Sequence, residues 1–349
     1  MRKYIAFILS MLVFVACNQK TDKEEAVADM FMDVVSFIEE QGDFINSEIA
    51  PAMINASVLV QRLKENVLVI DIRPREGYNK AHIPGAVNVV MSNMLEYFEE
   101  VIDPFAFDTI VFVSVDGQAA AFTTSVFRLL GYHHVFALRW GMSSWHSDFA
   151  SKNWSAVLSS NLESKLEKTA SPPKKSNSFP SIMSNHRHPY QLIRERAEEL
   201  LNTPFHNTQL IVDQVLKNNN RYYIVNYWDE KAYMSGHLPG AVQYDPKKSL
   251  SYKTDLKTLP PDRSIVIYCF SGQHSASVTA YLRLLGYDAY SLKFGANSFM
   301  VNMLRNGLGH FFNPDAVEDY PLEEAREDAP FEFKTEIEDN KKQTPQGGC

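Results

Sequence analysis

Cysteine is scarce in this chain of 349 residues, which holds only Cys17, Cys269 and Cys349. Three cysteines cannot build a disulfide framework, so each one needs another reason to be there. Positive charge is scarce too. The formal net charge is -8, and the stretch Asp315 to Cys349, with 11 acidic and 4 basic residues, carries most of the excess. The remainder is close to neutral and has no basic stripe of the kind a phosphate backbone requires, so nucleic acid is not expected as a partner. Long apolar runs are missing as well. The N-terminal run from Tyr4 to Ala16 has 13 residues, short of the roughly 20 that a spanning helix needs.

What is present is enough apolar material, 45% of residues, for two domains with separate cores. Arg2 and Lys3 precede the apolar run, which ends at Cys17 in "FVAC"; this reads as an export signal over residues 1–17. It is similar to a bacterial lipoprotein signal, in which the cysteine after a small residue is lipidated, although Phe14 stands where leucine is usual. An ordinary cleaved signal peptide is the alternative. The lipoprotein reading makes Cys17 a lipidation site and places the protein at the cell envelope, anchored to the membrane by lipid and facing the periplasm or the cell surface. Cys269 and Cys349 are then the remaining thiols. Cys349 ends an acidic tail, residues 313–349, in the polar tip "TPQGGC", where mobility is expected.

Alternating apolar runs and helical patterns mark a parallel α/β arrangement. "VLVID" (Val67 to Asp71), "TIVFV" (Thr109 to Val113) and "HVFAL" (His134 to Leu138) read as buried strands, and "YYIVN", "SIVIY" and "AYSL" repeat the order from Tyr222 to Leu292. After Cys269, Val278, Tyr281, Leu282 and Leu285 recur at helical spacing and Gly286 supplies a stop, which predicts a helix beginning near Ser275 with one face on the sheet. The repeat is explicit: Ile110–Tyr132 and Ile265–Tyr287 agree at 11 of 23 positions. "YNKAHIPGAV" and "YMSGHLPGAV" agree at 6 of 10 with the same offset of 155. Duplication of a whole domain accounts for both. The expected organisation is an N-terminal helical segment (18–50), a first domain (51–155), a Ser-, Lys- and Pro-rich linker (156–189), a second domain (190–312) and the tail.

"IDIRPREGYNKAHIPGAVNV", the two "H[IL]PGA" boxes, "CFSGQHS" and the paired "RLLGY" helix ends together resemble the rhodanese homology domain, over both repeats. The resemblance implies two tandem α/β domains, each a small mostly parallel sheet flanked by helices. It also implies a cysteine that accepts sulfane sulfur as a persulfide and hands it to a thiol or to cyanide, from a small sulfur-containing anion such as thiosulfate. No cofactor and no metal are expected. Cys269 is the candidate catalytic thiol, with Phe270, Ser271, Gly272, Gln273, His274 and Ser275 as the anion-binding loop. Thiolates, not thiols, attack sulfur, and a helix N-terminus together with curled backbone amides favours the negative form. Cys349 is a possible resolving thiol.

The first copy has Ser114 in the cysteine's place, and Asp116 brings negative charge to the same loop, so that copy is expected to be catalytically silent. Asp71 and Arg73 read as a structural ion pair, replaced by Asn226 and Trp228 in the second copy. His82 and His237 in the turns read as structural. His274, where the family commonly carries Arg, Lys or Thr, is a candidate for anion binding that varies between pH 5 and 8; Lys247, Lys248 and Lys293 are candidates for the mouth of the site. A non-enzymatic binding or scaffold role is the alternative function. A related phosphatase or arsenate reductase would need an arginine at the far end of the loop, and neither His274 nor Ser275 supplies it.

Overall fold

The computed structural model of the chain describes residues 27–171 and 178–324. Residues 1–26, with the expected signal and Cys17, residues 172–177 of the linker, and residues 325–349 with Cys349 lie outside the described residues.

Two five-stranded sheets, all of whose strand pairs are parallel, carry the two copies. The first contains β1 (Met53–Ile54), β2 (Val67–Asp71), β3 (Val87–Asn88), β4 (Thr109–Val113) and β5 (Val135–Leu138), in the spatial order β1-β5-β4-β2-β3. The second contains β6 (Gln209–Leu210), β7 (Tyr223–Asn226), β8 (Val242–Gln243), β9 (Ile265–Tyr268) and β10 (Ala289–Leu292), ordered β8-β7-β9-β10-β6. The three long strands of each sheet fall where the apolar runs indicate. The two-residue edge strands carry too few residues for any periodicity to show.

Four helices join the sheets and position the loop at Cys269: α1 (Phe31–Glu40), α2 (Gln118–Leu129), α3 (Pro189–Asn202) and α4 (Gln273–Leu284). α4 begins two residues earlier than its apolar spacing indicates, because Gly272 turns the chain at φ 77 and Gln273 already follows helically. Its end is as expected. Gly286 (φ 89) donates to Arg283 O and Tyr287 N donates to Leu282 O, and Gly131 (φ 99) and Tyr132 close α2 identically on Arg128 and Phe127. This pair of bonds satisfies carbonyls that the last turn would orphan, and it needs a left-handed residue.

α4 lays one face on its sheet, but the opposite face is not left to solvent, since every residue from Ser275 to Leu282 is buried. The face away from the sheet packs on α2 of the other copy, where Ser125 Oγ donates to Ser277 O at 2.9 Å. Small residues on both helices (Ala120, Ala121, Ala276, Ala280) allow the close approach. The two sheets thus share one continuous core. α1 and α3 add to it through Val34, Val35, Ile193 and Ala197.

Nor do the linker and tail behave as bare tethers where they are described. Residues after the first copy cross to the second: Glu167 and His237 exchange backbone bonds at 2.9 Å, and Glu167 Oε2 accepts from Gly240 N at 2.9 Å. Residues after the second copy cross back. Glu323 and His82 exchange the same pair of bonds at 2.9 Å, and Glu323 Oε2 accepts from Gly85 N at 3.1 Å. Leu162 is buried under one strap, and Trp145 Nε1 donates to Pro321 O at 2.8 Å under the other. Scattered apolar residues in a polar stretch are enough to dock it when turn amides stand unpaired.

Candidate active site

The loop from Cys269 to Ser275 leaves the end of β9 and enters α4. Cys269 ends the apolar strand as a nearly enclosed residue, 3% exposed. Ser275 N donates to its Sγ at 3.3 Å, from the first turn of a helix whose positive end faces the sulfur. Ser275 Oγ donates to Gly272 O at 3.1 Å and meets Ser291 Oγ at 2.8 Å. The turn is therefore tied back to β10. Gly272 has no room for a side chain, because a Cβ there would collide with Gln118 Oε1 and meet Phe294 N at 2.9 Å. Gly295 is similarly closed by Cys269 O.

The other loop residues divide in function. Phe270 turns away from an anion role and stacks on Trp228 at 4.6 Å and on His310 at 4.7 Å. Ser271 accepts from Gln273 Nε2 at 3.2 Å. Gln273 reaches into the first copy, where its Oε1 accepts from Trp140 N at 2.7 Å. The cradle is thus the amide of Ser275 on the sulfur, with the Ser275 hydroxyl accepting from Sγ at 3.6 Å, and the side chains of Phe270, Ser271 and Gln273 serve the walls.

His274 does not supply a titrating cation. Its ring meets Tyr227 edge-on at 4.9 Å. The residue is partly exposed, but Nε2 is sealed from solvent and has no hydrogen-bond partner among the described residues. Burial, aided by the charge of Lys247, pushes its pKa down to about 3. The imidazole is neutral through pH 5 to 8, and the pH-dependent anion binding expected of it has no charge to draw on. Lys247 does border this region, as its amide donates to Tyr227 Oη at 3.1 Å, but its Nζ is spent on Glu48 at 3.1 Å. Burial raises the Tyr227 phenol far above its ordinary value. The surface clefts lined by Arg263, Arg128, Trp140 or Arg196 include no residue of the 269–275 loop.

The first copy holds the same turn with different chemistry. Ser114 Oγ accepts from Gly117 N at 3.1 Å and from Ala120 N at 3.2 Å. Asp116 does not project charge into that turn. Its carboxylate accepts from Gln118 N and Gln118 Nε2, both at 2.9 Å, and burial raises its pKa. Gln118 so oriented accepts at Oε1 from Phe294 N at 2.9 Å and from Gln209 Nε2 at 3.1 Å. Phe294 sits at φ 63, and the residues after it hold the cysteine loop: Ala296 N donates to Cys269 O at 3.0 Å and Asn297 Nδ2 to Phe270 O at 2.8 Å. Sequence reasoning missed this cross-copy role of Gln118 and Gln273. The available signal was their identity in both copies beside an altered nucleophile position.

Asp71 and Arg73 form the expected buried ion pair at 2.5 Å, with Arg73 Nη2 also donating to Ala81 O. In the second copy Asn226 instead donates to Tyr268 Oη at 2.8 Å, and Trp228 stacks where Arg73 had bridged. His82 and His237 are structural, each ring nitrogen Nδ1 lying within 2.9 Å of the carbonyl of Tyr78 or Tyr233. Among the described residues no cluster of His, Cys, Asp and Glu is arranged to hold a metal ion, and no helix is long and apolar enough to cross a membrane.

Comparison with known proteins matches the family described as "Rhodanese-like domain" to residues 55–148 and 211–301. A tRNA sulfurtransferase of Pyrobaculum aerophilum is 41% identical over 70 residues, 20% of this chain and 14% of that protein. The chain therefore spans about 14% of the length of this curated relative. Among solved structures, a thiosulfate sulfurtransferase from Pseudomonas aeruginosa is 13% identical, covers 84% of this chain and 70% of its own, and has a TM-score of 0.26. A probable thiosulfate sulfurtransferase is 17% identical, covers 74% and 98%, and has a TM-score of 0.27.

Proposed function

The chain belongs to the rhodanese-like domain family, and from that premise we propose that its second copy is a sulfurtransferase domain in which Cys269 carries sulfur as a persulfide. The observation that carries this reading is the placement of the thiol: Cys269 follows a central strand and is joined through the turn Phe270 to Gly272 to a helix of 12 residues, with Ser275 N 3.3 Å from Sγ. In the forward half-reaction the Cys269 thiolate attacks the outer sulfur of thiosulfate. The S–S bond of the donor breaks, sulfite leaves with the electron pair, and a persulfide remains. An acceptor such as cyanide or a thiolate then attacks the terminal sulfur, and the Cys269 thiolate departs unchanged. The amide of Ser275 and the positive helix end favour the anionic sulfur at each stage. His274, neutral, contributes shape and not charge.

The first copy, with an alcohol in place of the thiol, is the packing partner that holds the loop through Gln118. Lipidation at Cys17, a membrane-anchored position in the cell envelope, and a resolving role for Cys349 belong to the same proposal. The test is turnover: the protein is incubated with thiosulfate and cyanide, and thiocyanate is measured. Catalytic release of thiocyanate supports the reading, and none above the uncatalysed rate overturns it.

A further inference from the structure

Both copies carry an arginine in the last turn of their long helix, Arg128 and Arg283, in the shared "RLLGY". Each is tied to the start of the following strand. Arg128 Nε donates to Val135 O at 2.9 Å and Arg283 Nη1 to Ala289 O at 3.0 Å. Each guanidinium also lies over a ring of that strand, Phe136 at 4.8 Å or Tyr290 at 5.7 Å.

Their surroundings then diverge. In the second copy Asp288 precedes the strand and shares a cleft with Arg283, and both charges act on Tyr290. In the first copy two histidines, His133 and His134, stand ahead of the strand and no acid does. Arg128 is 4% exposed. Its pKa is lowered to about 10 by burial alone, with no carboxylate acting on it, so it stays charged at neutral pH. Nη2 has no hydrogen-bond partner among the described residues. A buried cation that has lost its hydration and gained no anion is costly, and it attracts one from outside.

We propose that the cleft over Arg128 binds a monoanion with a short apolar body, of the class of medium-chain carboxylates. The cleft holds about 470 Å³, with Ile38, Phe44, Ile49 and Leu129 as apolar wall and Arg128 and His133 as its basic end. That volume suits a small organic molecule. Ile49 is 53% exposed, an apolar wall facing water. A planar carboxylate matches the guanidinium edge. A single charge is favoured because the cleft offers one guanidinium with one unpartnered nitrogen, and its one carboxylate, Glu48, is already engaged by Lys247.

The test is calorimetric titration of the full chain with octanoate, with octan-1-ol as the neutral counterpart and inorganic sulfate as the anion without an apolar body. Octanoate is expected to saturate one site per chain, with the alcohol and sulfate weaker by roughly tenfold or more. His133→Asp gives the first copy the acid that the second has. It should weaken octanoate by about the same factor while the melting temperature holds. Arg128→Met should abolish binding; if that variant does not fold, His133→Asp still decides. Absence of saturable octanoate binding, equal binding of octan-1-ol or of sulfate, or unchanged affinity in His133→Asp overturns the proposal.

Discussion

Ser114 and Cys269 stand at the same point of the same turn in two copies of one fold. The glycines that shape those turns have nearly the same geometry, φ 80 and ψ -9 at Gly117 against φ 77 and ψ -17 at Gly272. The backbone of the loop is therefore not what separates the copy with the thiol from the copy with the hydroxyl. The difference lies in one atom and in how each loop is backed. Ser114 is held by two amides, whereas Cys269 Sγ meets only Ser275, through its amide at 3.3 Å and its hydroxyl at 3.6 Å. In the first copy the carboxylate of Asp116 aims Gln118 at the neighbour's loop. The second copy returns the contact through Gln273, but orients it with Ser271 and not with a charge.

The most severe way to probe that contrast is at the nucleophile. Cys269→Ser should remove sulfur transfer entirely while the melting temperature stays close to wild type, because Ser114 shows that this turn accommodates an alcohol. Thiocyanate release from that variant would contradict the assignment. The exchange in the other direction, Ser114→Cys, should leave the first copy without comparable turnover, assayed in a Cys269→Ser background. Its turn is closed by two amides and lies beside the buried Asp116. Full activity there would show that the nucleophile alone distinguishes the copies.

Next in size are the reciprocal glutamines. Gln118→Ala leaves the buried amide of Phe294 without its acceptor, and Gln273→Ala does the same to Trp140. Each should cost about 1–3 kcal/mol in denaturant unfolding, as expected for an orphaned buried donor. Only Gln118→Ala, which frees the segment 293–297 behind Cys269, should also slow transfer beyond its effect on stability. Equal effects on turnover would mean that the first copy does not position the site.

A smaller effect concerns pH. With its pKa held near 3 in the fold against roughly 6.5 in an unfolded chain, His274 takes up a proton on unfolding anywhere between those values. Stability should therefore fall as pH drops from about 6.5 toward 3, and His274→Gln should flatten that slope. An unchanged slope in thermal melts across this range would show that the imidazole titrates normally. The smallest effects belong to the straps. Glu323→Gln and Glu167→Gln alter exposed ends of turn contacts that keep their backbone bonds, so each should shift unfolding by less than about 1 kcal/mol. A larger loss from either would make its strap a main contributor to the domain pair.

The repeat, the long strands and the cysteine loop were legible because each writes itself into local pattern: apolar runs for buried parallel strands, a glycine for the left-handed turn, "RLLGY" for the helix stop. The pairing of the copies was not. Gln273 reads from sequence as part of the anion-binding loop and Gln118 carries no signal of its own, yet both are fully buried between the copies. Their partners lie 176 and 133 residues away. The straps were hidden for the same reason, since Glu167 and Glu323 sit in charged, low-complexity surroundings, and only the turns they meet explain them. His274 was read with the charge of a solvated histidine; the desolvation that removes it comes from Tyr227 and the packed loop, which spacing does not reveal.

If sulfur rides on Cys269 and nowhere else in the chain, the mass of the intact protein records it directly. The protein is incubated with thiosulfate, excess donor is removed, the intact mass is measured and the modified peptide is mapped. One added sulfur atom per chain is expected, on the peptide containing Cys269, lost on addition of cyanide and missing from Cys269→Ser. A sulfur adduct that maps to another residue, or that persists in Cys269→Ser, would contradict the assignment of Cys269 as the sulfur carrier.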